Sequence, residues 1–73
     1  MNGHALKDHL IALGIDQSEA ARRCGMSPAT VHQHIKEKRS ITAESAVRYE
    51  AGIGFPRWVS RPDLWVKPGG EHD

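Results

Sequence analysis

Apolar positions recur along the chain at helical spacing, and glycines and prolines break the pattern at short intervals. Leu6, Leu10 and Leu13 fall at i, i+4 and i+7, followed by Gly14 and the apolar Ile15, which predicts a first helix with a glycine stop. Asp16 with Glu19 three residues on has the form of a capping box, and it predicts a second helix with Ala20, Ala21 and Cys24 inward and Gly25 at its end. Ser27 followed by Pro28 marks a third start, since proline is tolerated at the first helical position; Val31 and Ile35 give that helix its buried stripe. Thr42 caps a fourth helix with Ala46, Val47 and Tyr49 or Glu50 inward, stopped by Gly52 and Gly54. Beyond Phe55, the prolines Pro56, Pro62 and Pro68 forbid a long helix, "RPDLW" predicts one short turn, and residues 1–3 and 67–73 are expected to be flexible. No stretch reads as a strand. The expectation is an all-α protein, a compact bundle of four to five short helices, forming a single domain over residues 1–73.

The second and third predicted helices are joined only by Gly25, Met26 and Ser27, the spacing of a helix-turn-helix. Glycine permits the sharp reversal, and a small residue four positions earlier, here Ala21, lets the helices cross closely. Ala20, Cys24, Met26 and Val31 supply the apolar contacts that fix the crossing. A helix of about ten residues is ~15 Å long and fits the major groove of B-DNA, where its N-terminal residues reach base edges.

Charge changes this picture only locally. Ten Lys and Arg against nine Asp and Glu give a formal +1, which does not announce a nucleic-acid binder. Between Asp16 and Arg39, however, five basic residues (Arg22, Arg23, Lys36, Lys38, Arg39) face three acidic ones, a net +2. The single cysteine allows no internal disulfide, no apolar run approaches the roughly 20 residues of a membrane span, and the first residues lack a signal peptide's apolar core. A cytoplasmic protein is the expectation.

The segment Leu10 to Trp65 resembles the Cro-like prophage repressors of the YdaS antitoxin group, within the lambda-repressor-like DNA-binding superfamily. "SPATVHQ", "ITAESAVRYE" and the closing "RPDLW" carry the resemblance most specifically. His32, His34 and "EKR" stand where the family more often has other residues and a Gly-containing turn. The resemblance implies a homodimeric regulator, encoded by a phage or prophage, that binds an operator in double-stranded DNA. It also implies that Gln17 contacts phosphate and that Ser27, Pro28, Ala29, Thr30 and Gln33 form the recognition surface. The chemistry agrees: a Gln pairs bidentately with adenine, and Ala29 or Thr30 can pack on a thymine methyl. His32 flanks Gln33 and joins this set, while Lys36, Lys38 and Arg39 are suited to neutralise flanking phosphates.

Several side chains carry rival roles. Cys24 with His32 and His34 offers too few ligands for structural zinc, and Cys24 is expected in the core; no metal or cofactor is expected. His34 either fills a half-buried structural position or faces phosphate, and Arg22 and Arg23 either touch phosphate or form a solvated face. His4 and His9 are expected to face solvent. Phe55, Trp58 and Trp65 either close the open end of the bundle or meet a symmetry mate as a dimer interface. No nucleophile, base and oxyanion set can be assembled, so an enzyme is not expected. The alternative function is an antitoxin-type interaction module that masks a toxin and autoregulates its operon.

Overall fold

The computed structural model describes residues 2–67, and within them the chain forms five helices and no strand. These are α1 (Gly3–Leu13), α2 (Gln17–Cys24), α3 (Pro28–Ile35), α4 (Ala43–Ile53) and α5 (Arg57–Ser60). Of the ends expected to be flexible, Met1 and residues 68–73, Pro68 included, lie outside the described residues. None of the helices is long and apolar enough to cross a membrane.

Local chemistry sets the boundaries. Asp16, Ser27 and Thr42 each accept the backbone N–H of the residue three positions on, capping α2, α3 and α4. Gly14, Gly25 and Gly54 close α1, α2 and α4 in the left-handed region, with φ of 72°, 68° and 72°. At the first two closures the next residue reaches back, Ile15 N–H to Leu10 O at 3.2 Å and Met26 N–H to Ala21 O at 2.9 Å. This pairing satisfies carbonyls that the helix leaves open.

The core comprises Leu6, Leu10, Ala20, Ala21, Cys24, Val31, Ile41, Ala46, Tyr49, Ile53 and Phe55. Three positions of the predicted stripes lie outside it, the mildest being Ile35, which is half-buried and packs against the core. Leu13 is 43% exposed, because the chain reverses at Gly14 and Ile15 packs against the core from beyond the turn. Val47 is 38% exposed, because α4 buries the Ala46, Tyr49 and Ile53 face, and a residue one step away points about 100° off it. Between Tyr49 and Glu50, the buried one is Tyr49; Glu50 is half-buried and accepts from Arg57 Nε at 2.5 Å.

Gly52 does not stop α4 but lies within it. A Cβ there would stand 2.6 Å from the Arg23 carbonyl oxygen and 2.7 Å from Cys24 Sγ. Its missing side chain is what lets the end of α2 press on α4. Within the start of the chain, Asn2 Nδ2 donates to the Ser60 carbonyl at 2.8 Å and Gly3 is buried. A Cβ on Gly3 would collide with the carbonyl oxygens of His34 and Ile35, so α1 begins directly against the end of α3. The Glu37 carboxylate accepts the Gly3 and His4 amides at that junction.

Candidate nucleic-acid interface

Helices α2 and α3 pack against one another across the three-residue turn, with Ala21 1% exposed at the crossing. Arg48 of α4 donates through Nη1 to the Gly25 carbonyl at 3.0 Å and through Nη2 to Glu44 at 3.0 Å, fixing the turn from outside. Met26 is half-buried against the core. The Ser27 hydroxyl accepts the Thr30 amide at 3.2 Å and lies 2.9 Å from Thr30 Oγ1, so the first turn of α3 is held by its own side chains.

Val31 and His34 turn inward from α3, leaving Pro28, Ala29, His32 and Lys36 exposed, with Thr30 and Gln33 half-buried beside them. Gln17 begins α2, and its Oε1 accepts from Nδ1 of His32 at 3.2 Å. A carbonyl oxygen can only accept, so this bond places a proton on Nδ1. Two residues 15 positions apart thereby form one polar unit across the two helices. Lys36, Lys38 and Arg39 follow on the exposed turn after α3, where Glu37 adopts φ 59°. The left-handed residue of this turn is thus Glu37, in the segment where the resembling family has a glycine-containing turn.

Arg22 and Arg23 are both engaged by Glu19. Arg22 Nη2 lies 2.5 Å and Arg23 Nε 2.7 Å from the same carboxylate oxygen, and these hydrogen bonds hold the Glu19 carboxyl down at about 2. The capping box is therefore half formed: Asp16 caps the Glu19 amide, while the Glu19 side chain runs forward to the arginines. Exposed pairs of this kind are screened by solvent and contribute little, so α2 is held mainly by its buried face.

His34 is resolved in favour of structure. It is 2% exposed, and its Nδ1 lies 2.6 Å from the Tyr49 hydroxyl. Burial, and then the charge of Arg39, lower its pKa, so the ring is neutral at pH 7. Burial also pushes the Cys24 thiol up, as befits a core residue. Among the described residues no group of three or more His, Cys, Asp or Glu side chains comes together to hold a metal.

His4 is exposed, near Asp8 at 3.5 Å, but His9 is not free in solvent. Its Nε2 donates to the Ile53 carbonyl at 2.7 Å and its ring packs on Phe55 at 5.3 Å, tying α1 to the end of α4. Phe55, expected to cap the bundle or meet a partner, is 3% exposed and fills the core against Tyr49. Trp58 and Trp65 remain half-buried; Trp65 packs on the core and lies beneath the Arg57 guanidinium at 5.4 Å. Sequence reasoning missed Arg48, whose only local signal was Glu44 four residues earlier.

Two short capped helices crossing at a glycine turn, with a polar face left open on the second, define a DNA-binding helix-turn-helix protein. The family model for the helix-turn-helix, of the lambda-repressor-like kind, matches residues 6–57, and the chain belongs to that family of DNA-binding transcription regulators. No curated protein and no solved structure gives a significant match.

Proposed function

We propose that the protein is a Cro-like repressor of a phage or prophage, acting in the bacterial cytoplasm as a homodimer on a two-fold operator. The observation that carries this reading is the open face of α3. Ala29, Thr30, His32 and Gln33 lie at or near the surface, and the capped N-terminus and buried Val31 and His34 keep that face in place. In this reading α3 enters the major groove, Gln33 pairs with a base edge, Gln17 and Lys36 hold phosphates, and bound protein occludes the promoter. Leu64 and Val66, 48% and 65% exposed beside half-buried Trp65, offer apolar surface for the second protomer. The same surface supports the second reading, an antitoxin that covers a toxin through its C-terminal segment. Selection of bound duplexes from a random pool tests the first. Recovery of a palindromic consensus supports the repressor, and recovery of unselected sequence with tight capture of one genetically neighbouring protein supports the antitoxin.

A further inference from the structure

A cleft of about 400 Å³ opens between the end of α3, the turn leading to α4, and the segment after α5. Its volume falls in the range of small-molecule pockets. The polar groups that line it are unevenly committed. The Asp63 carboxylate is taken by Arg61, whose Nε and Nη2 donate to it at 2.9 and 2.6 Å, and Glu37 is turned toward the amides that start α1.

The donors are the groups left over. The Tyr49 hydroxyl has Nδ1 of His34 as its one acceptor, so tyrosine donates and the neutral ring carries its proton on Nε2. That nitrogen has no hydrogen-bond partner among the described residues, and His34 lines the cleft. Ser60 lines it too, is 2% exposed, and its hydroxyl is a buried polar group without a partner. Arg39 also lines the cleft, close enough for its charge to act on His34, and makes no ion pair among the described residues. A buried hydroxyl left unpaired is costly, and an acceptor entering this cleft would pair with Ser60 while meeting Arg39 and His34 on the same lining.

We propose that this cleft is a binding site for a small oxyanion, a carboxylate or phosphate group, received by the Arg39 guanidinium with Nε2 of His34 and the Ser60 hydroxyl beneath it. A planar guanidinium suits either head group through paired hydrogen bonds. Cations are disfavoured, because both carboxylates at the site are already engaged.

The test uses the full chain without DNA, so its failure leaves the repressor reading untouched. Succinate and inorganic phosphate are titrated separately at constant ionic strength, followed by calorimetry and by amide and imidazole nitrogen resonances. One-to-one saturable binding is expected, with the His34 Nε2 and Ser60 signals moving and the tighter ligand naming the head group. Arg39→Gln, on an exposed turn, should keep the helical spectrum and bind about tenfold more weakly or worse. Shifts that grow linearly without saturation for both ligands, or Arg39→Gln binding as tightly as the parent, would overturn the site.

Discussion

The Tyr49 hydroxyl donates to Nδ1 of His34 at 2.6 Å in the centre of the bundle, joining α4 to the inner face of α3. The rings meet edge to face at 5.7 Å and both residues are almost fully buried. This pair makes the placement of the candidate recognition helix depend on a neutral imidazole.

Acid should therefore loosen the protein at this point. Because folding lowers the pKa of His34, the unfolded chain binds the proton more readily, and stability rises with pH through that interval. The contribution is complete above the unfolded value of about 6.5 and is lost as pH falls from there through the folded value. Denaturant melts from pH 8 to pH 5 should show this loss, and His34→Leu should flatten that part of the curve. Tyr49→Phe should cost about 1–3 kcal/mol by leaving the ring acceptor unpaired.

Gly52→Ala separates local preference from packing. Helix propensity alone favours alanine by about 0.8–1.0 kcal/mol. The Arg23 carbonyl and Cys24 sulfur stand where the methyl would go, so the substitution should instead destabilise by about 1–3 kcal/mol. A melting temperature equal to or above the parent's would show that α2 can retreat from α4 at no cost.

Glu19→Gln should strengthen DNA binding without regard to sequence. It removes a carboxylate from the outer face of α2 and releases Arg22 and Arg23. Binding to random duplex should tighten and the log–log salt slope should steepen, by about one for each arginine that then meets phosphate. An unchanged slope would place both arginines away from the backbone.

Gln33→Ala and Lys36→Ala distinguish base reading from phosphate binding. The first should lose about 1–3 kcal/mol on the selected operator, relax preference at one position per half-site and leave the salt slope alone. The second should weaken all sequences alike and lower the slope by about one per half-site. His32→Ala belongs in the same series, because its bond to Gln17 makes it a rival for base contact.

What was legible in the sequence was whatever chemistry acts over three or four residues. Asp16, Ser27 and Thr42 cap, and Gly14 and Gly25 close, through bonds to near neighbours, so their residue types announced them. Gly52, His9, Arg48 and Gly3 escaped because their partners are distant: His9 meets a carbonyl 44 positions away and Arg48 one 23 away. A glycine needed for close approach looks, in sequence, the same as one needed for a turn. In the candidate interface, the open side of α3 could be anticipated from Val31 and Ile35 on the other side, whereas the bond between Gln17 and His32 could not.

The contacts around α3 also bear on how the protein can meet a duplex. Gly3 of α1 presses on its final carbonyls, Ala20 and Ala21 of α2 lie buried alongside, and Tyr49 of α4 bonds to its inner face. A helix clamped from three directions can neither roll nor slide to suit a poorly matching groove. Adaptation then falls to the nucleic acid, whose cost of bending and twisting varies with base steps the protein never touches. Stiff and pliant central spacers between identical half-sites should accordingly be bound with different affinities, and discrimination would begin in the mechanics of the duplex.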